Sequence, residues 1–178
     1  GSGTVDVNTF TTAKSLVIQA PSASGHININ GALTATGSSS ITITGPGSTT
    51  TLHANITTAG GNITIDDSLE LATDVTLTTG SGGGNISISG TVNSSGSARN
   101  LTVNAGSGSA TFTGAIGNSL ALLSLVVTAS GGITANSSLK ATNITLTGGA
   151  VDLNGAVTPT GGFSSSGSSF DNTGAAIT

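Results

Sequence analysis

Aliphatic residues along this chain recur at every second position in short bursts, separated by clusters of Gly, Ser and Asn. The bursts include "TVDVNT", "LVIQA", "HININ", "ITIT", "NITID", "LELA", "VTLTT", "NISIS", "LTVNA", "ATFTG", "NITLTG" and "VDLNG". A period of two marks a strand with one buried face, whereas a helix needs apolar residues at i, i+3, i+4 and i+7. Only "NSLALLSLVV" approaches helical spacing, and only briefly. In "GGNITIDDSLELATDVTLTTG" the pattern predicts Ile63, Ile65, Leu69, Leu71, Val75 and Leu77 inward. It places Thr64 and Thr76 outward on different faces.

A longer period overlies the alternation. One class of strand starts near Leu16, Ile41, Val75, Leu101, Leu125 and Ile144; a second starts near Ile27, Ile63, Ile86, Thr111, Ile133 and Val151. A third short strand follows each second one: "GALTA", "SLELA", "GTVNS", "GAIG", "SSLKA" and "GAVTPT". Steps are mostly about 18 to 26 residues, with one longer step where "TTTLHANITTAGG" adds a segment, and such periods indicate solenoids or arrays. Three short strands per coil with glycine turns predict an all-β parallel β-helix, a β-solenoid in a single domain over residues 1–178. "GGFSSSGSSFDNTGAAIT" reads as its final coil, and Pro21, Pro46 and Pro159 all fall in predicted turns, where a missing N–H donor is tolerated.

Composition favours this fold over a sandwich. The chain has no Trp, Tyr, Met or Cys and only four Phe, so the core must be built from Ile, Leu, Val and Ala. A sandwich must fill a core about 10 Å thick, whereas a coil sets each small side chain on its equivalent about 4.8 Å away. Asn55, Asn62, Asn85, Asn100 and Asn143 precede strands and are expected at corners, where Asn tolerates unusual backbone angles and its amide pairs with the next coil.

Charge narrows the function classes. Lys14, Arg99 and Lys140 are the only basic residues against seven acids, a formal net charge of −4, so no basic surface for nucleic acid is expected. The longest apolar run, "LALLSLVV", falls far short of the ~20 residues that span a bilayer, so membrane insertion is not expected either. Mean hydropathy of +0.28 argues against disorder. The absence of Cys fits an exported bacterial protein.

Thr51 to Gly149 resembles the repeat regions of filamentous-hemagglutinin-like and autotransporter-type bacterial surface adhesins. The motifs that carry the resemblance are "ITTAGGNIT", "VTLTTG", "ISISGTV", "LTVNAGSG" and "TFTGAIG". It implies a right-handed parallel β-helix, secreted to the bacterial cell surface as an adhesin stalk, fibre or matrix element. At 178 residues the chain would be a slice of such a protein, or one subunit of something that stacks. The motifs bring no catalytic residues.

Candidate chemistry is sparse. Asp66, Asp67, Glu70 and Asp74 form the one local acid cluster and are the candidate Ca²⁺ ligands, yet neither the nonapeptide calcium repeat nor EF-hand spacing is present. Solvated turn acids are the expectation. His26 and His53 lack companion ligands and read as surface or strand histidines. "TGSGGGN", Thr79 to Asn85, lacks a phosphate-loop ending and reads as a turn. Seven sequons, at Asn55, Asn62, Asn85, Asn93, Asn100, Asn136 and Asn143, are possible glycosylation sites. No cofactor is implied, and an enzyme, for instance one acting on acidic polysaccharide, is the least favoured class.

Two function classes remain in front. The first is a structural, adhesive solenoid that assembles head-to-tail with itself through uncapped ends and contacts host or matrix surfaces or their glycans. The second is a binding module that uses Thr-rich β-faces toward glycan or ice. Its Thr residues, however, fall in different strand classes, and Tyr and Trp platforms for sugars are absent.

Overall fold

The structure, a computed structural model, describes residues 3–45, 47–173 and 176–178. All strand pairing in it is parallel, and three faces wind into a β-solenoid of about seven turns with three strands per coil. Among the described residues there is no α-helix; a single 3₁₀ turn, Gly80–Gly82, lies within "TGSGGGN". The first face comprises Thr4–Val7, His26–Ile29, Thr49–Leu52, Ser68–Leu71 and Val92–Ser94, then continues as single bridges through Ile116 and Leu139. The second runs from Phe10–Thr12 through Leu33–Ala35, Ile56–Thr58, Val75–Thr78, Asn100–Gly106, Leu122–Ala129 and Leu139–Gly148 to Val157–Ser166. The third runs from Leu16–Gln19 through Ile41–Thr44, Ile63–Ile65, Ile86–Ile88, Ser109–Phe112, Gly132–Ala135 and Ala150–Leu153 to Ser169–Asp171.

Register converts alternation into a core. On the third face Ile41, Ile63, Ile86, Ala110, Ile133 and Val151 stack in one inward ladder, and Ile43, Ile65, Ile88, Phe112, Ala135 and Leu153 in the next. Each ladder places a side chain on its equivalent one coil away, at the ~4.8 Å strand spacing. The buried residues form one continuous aliphatic column in which, among the described residues, Phe112 is the only fully buried aromatic. Ile63, Ile65, Leu69, Leu71, Val75 and Leu77 all point into it, as the alternation predicts.

From Ile63 onward the three strand classes match the three faces, but in the first coils they do not. Leu16 and Ile41 belong with Ile63 on the third face, Ile27 belongs with Leu69 on the first, and "GALTA" belongs with Val75–Thr78 on the second. "TTTLHANITTAGG" is no insertion: it supplies the first-face strand Thr49–Leu52 and the second-face strand Ile56–Thr58. Two features hid this. Thr49–Leu52 has three consecutive threonines in place of alternation, and the corner from third to first face is wide early on, Ile18 to Ile27 and Ile43 to Thr50. It is tight, Ile65 to Leu69, from there on.

The coil also narrows toward the C-terminus. Third-face register steps from Ile63 to Ile86, 23 residues, but from Ile133 to Val151, only 18. The shortening comes from the other two corners, and Leu139–Gly148 and Val157–Ser166 become ten-residue strands that absorb the first face. Pro159 lies inside the latter strand rather than in a turn, opposite Ala141 where the register shifts, so its missing N–H falls at an irregularity of the ladder. Pro21 lies in a bend, and Pro46 lies outside the described residues. "GGFSSSGSSFDNT" forms second- and third-face strands of the last coil.

Three of the tight corners, at Gly90, Gly114 and Gly155, stack on the corner before them through glycine. Gly90 follows Asp67 at the third-to-first corner, and a Cβ there would collide with the Asp67 carbonyl; Gly114 stands in the same relation to Gly90. Gly90→Ala is therefore expected to destabilise the protein by about 1–3 kcal/mol through forced backbone displacement, while Ala at the exposed neighbour Ser89 changes stability by about 0.5 kcal/mol or less. Urea unfolding of both variants measures the contrast.

Candidate functional surface

Outward positions stack as strictly as inward ones. On the second face the register aligns Thr11, Thr34, Thr57, Thr78, Asn104, Thr128, Thr147 and Ser166 into one rank without a charge. Beside it Thr76, Thr102, Val126, Thr145 and Ser164 form a second. The third face carries Thr42, Thr64, Ser87, Thr111 and Thr134, and then turns acidic at Asp152 and Asp171. Thr64 and Thr76 do occupy different faces, but each belongs to a hydroxyl rank: Thr64 lies between Thr42 and Ser87, and Thr76 pairs with Thr102. Assigning Ile41 to the wrong strand class concealed that Thr42 and Thr64 share a rank. β-Branched threonine suits these positions because its methyl covers the pleat while its hydroxyl meets solvent.

The sequon asparagines are mainly structural. At the second-to-third corner the Ser40 Oγ accepts the Asn62 backbone N–H at 3.0 Å. The Asn62 Oδ1 accepts that of Asn85 at 2.9 Å, and the Asn85 Oδ1 accepts that of Ser109 at 2.9 Å. Asn55, Asn93 and Asn143 bond in the same way to the N–H groups of Thr76, Ser119 and Gly162. Asn136 accepts from the Asn154 amide at 3.2 Å. These side chains satisfy corner amides that the strand ladders leave over. Pairing with the next coil is thus found, but left-handed backbone at Asn is not. Among the described residues every positive φ belongs to glycine.

The four candidate calcium ligands are dispersed. Asp66 faces outward from the third face and accepts the Ser89 hydroxyl at 3.1 Å; Glu70 is exposed on the first face. Asp74, at the next corner, accepts the Asn100 backbone N–H at 2.9 Å and its Nδ2–H at 2.7 Å. Asp67 is fully buried inside the coil, where its Oδ2 accepts the Thr50 hydroxyl at 2.8 Å. Among the described residues no three His, Cys, Asp or Glu gather as a metal site. Asp66 and Asp74 are exposed between strands, Glu70 is exposed within the strand Ser68–Leu71 rather than in a turn, and Asp67 is buried, against the expectation of a solvated turn acid. Ile63, Ile65, Asp67, Leu69 and Leu71 continue one alternation through the corner, and that unbroken parity is the sequence signal for its burial.

Of the histidines, His53 is exposed, and His26 contacts the Thr51 hydroxyl through Nε2 at 2.9 Å from the preceding coil. The core itself is open at the first coil. Val5, Val7, Phe10, Leu16 and Ile18 line an apolar concavity of about 330 Å³, with Phe10 46% exposed. At the last coil Phe163 and Phe170 pack with ring centroids 6.1 Å apart, and Phe170 remains 45% exposed.

Fold and surface together define a β-solenoid with hydroxyl-lined outer faces. No family model, curated protein or solved structure matches the chain.

The Asp74 carboxyl is held below the ordinary aspartate value of 3.8, first by the Asn100 backbone N–H and then by its side-chain amide. A lowered folded-state value means this corner's contribution is complete above the ordinary range and is lost as pH falls through the lowered value. A carboxyl-carbon NMR titration should place the Asp74 midpoint below 3.8; a midpoint at or above it would contradict the corner geometry.

Proposed function

We propose that this chain is a structural segment of a secreted bacterial surface protein, an adhesive stalk, fibre or matrix element built from stacked coils. The observation that carries the reading is the core left open at both ends of the described coils. An apolar concavity lies at one end, and two phenylalanines occupy the inward ladders at the other. Open coil ends offer unpaired strand edges and apolar surface, which a further coil satisfies at once. That coil comes from the same polypeptide or from a second copy stacked head-to-tail, a non-closing arrangement that elongates. The adhesin-like motifs between Thr51 and Gly149 support the surface location, and the dispersed acids and histidines fit a role that resides in shape.

Electron microscopy and sedimentation of the purified chain test assembly. The expected result is filaments with a ~4.8 Å axial repeat, dispersed when Leu16→Asp places a charge in the open end. A monodisperse monomer at high concentration would remove head-to-tail assembly from the proposal.

A second reading is favoured by the charge-free threonine ranks of the second face, which could order water against ice or lie along a neutral glycan. Thermal-hysteresis and recrystallisation assays on the chain and on a Thr78→Lys, Thr128→Lys double variant address ice. Activity that the lysines abolish is the outcome expected of this reading, and its absence in the parent chain at high concentration eliminates the ice version.

A further inference from the structure

Two positions break the ladders of the interior, and they meet. The inward position that is Ile27, Leu69 and Val92 in neighbouring coils is Thr50 in the third, and Thr50 is fully buried. The third-to-first corner position that is Gly90, Gly114, Ser137 and Gly155 in later coils is Asp67, whose side chain, unlike that of the half-buried Ser137, has no solvent exposure. The Thr50 hydroxyl donates to the Asp67 Oδ2 at 2.8 Å, and the other carboxyl oxygen has no protein partner among the described residues. An aliphatic at one position and a glycine, or a small residue as at Ser137, at the other would repeat the coils that follow. A buried polar pair is a poor source of net stability, and its best-attested use is to specify one arrangement among several.

The place of the pair supplies the alternatives. Thr49–Leu52 is "TTTL", with three identical residues where other strands alternate, so its pattern defines poorly which residue faces inward or opposes which partner. It is also the seam at which the third-to-first corner changes from wide, Ile43 to Thr50, to tight, Ile65 to Leu69. Gly90, Gly114 and Gly155 each set glycine against the backbone of the corner before them, with Ser137 at the corner between the last two, whereas Asp67 stands at the first tight corner, directly after the wide one. On the outer side of the same strand Thr51 is engaged by His26 from the preceding coil at 2.9 Å.

We propose that the buried Thr50–Asp67 pair is a register pin. It selects the pairing of Thr49–Leu52 with Ser68–Leu71 at the seam between wide- and tight-cornered coils, where hydrophobic patterning alone leaves the register open.

The chain has no cysteine, so engineered disulfides read the register directly. Thr49→Cys with Ser68→Cys joins native partners, about 4.8 Å apart and within disulfide reach. Thr49→Cys with Glu70→Cys joins residues about 7–8 Å apart that meet only after a two-residue slip. Under mild oxidation with Thr50 and Asp67 intact, the native pair should close at least about tenfold faster than the slipped pair. In Thr50→Val, Asp67→Gly the preference should fall to about threefold or less. If the double variant keeps the parental preference, the pin is refuted.

Should the double variant fail to fold, hydrogen exchange on single variants decides. Asp67→Gly should speed exchange about tenfold or more in residues 3–58 relative to residues 86–153, and Asp67→Asn, which keeps an acceptor, should stay within about threefold of the parent. Equal acceleration on both sides of the seam, or no rescue by Asn, would overturn the proposal.

Discussion

Everything in this molecule depends on the stacking of each residue on its own equivalent one coil away. Parallel pairing sets that distance at about 4.8 Å and repeats it on three faces. Small aliphatics fill such a column without voids, which is why a chain nearly devoid of aromatics has a continuous core. The same constraint fixes the corners. Stacked tight corners bring backbone against backbone, so glycine recurs there, and amides that no strand ladder receives are taken up by Ser and Asn from the neighbouring coil.

Stacking also makes surfaces. Because register carries outward side chains into ranks as faithfully as inward ones, a sequence rich in Thr for strand formation acquires ordered hydroxyl arrays. The charge-free rank on the second face and the acid-ended rank on the third are therefore different surfaces on one scaffold. A stalk and a patterned binding face are compatible uses of this architecture, since stacking runs along the axis and the hydroxyl ranks face sideways from it.

Much of the fold was legible because alternation and period are direct imprints of strand and coil. Ile63, Leu69 and Val75 announce three faces within one turn. Legibility failed where the imprint was absent: "TTTL" shows no alternation, and the wide corners after Ile18 and Ile43 shifted the apparent phase of the first coils. Asp67 was misread for a different reason. A tandem Asp66-Asp67 looks like a solvated turn, although the parity from Ile63 to Leu71 sends Asp66 out and Asp67 in. The Thr ranks were legible residue by residue but not as ranks, because rank membership requires the register. The Asn–amide pairings were anticipated at the corners, while among the described residues the unusual backbone angles with positive φ occur at glycine and not at Asn.

Every feature above requires that the coils stack in one register along a single axis. Spin labels on the third face test it most directly, with Thr42 as the fixed site and Thr64, Ser87, Thr111 and Thr134 as successive second sites in separate double-cysteine variants. Mean separation should grow by about 4.8 Å for each coil traversed, reaching about 19 Å between backbone positions at Thr134. Distances that fail to rise linearly with coil number would contradict it.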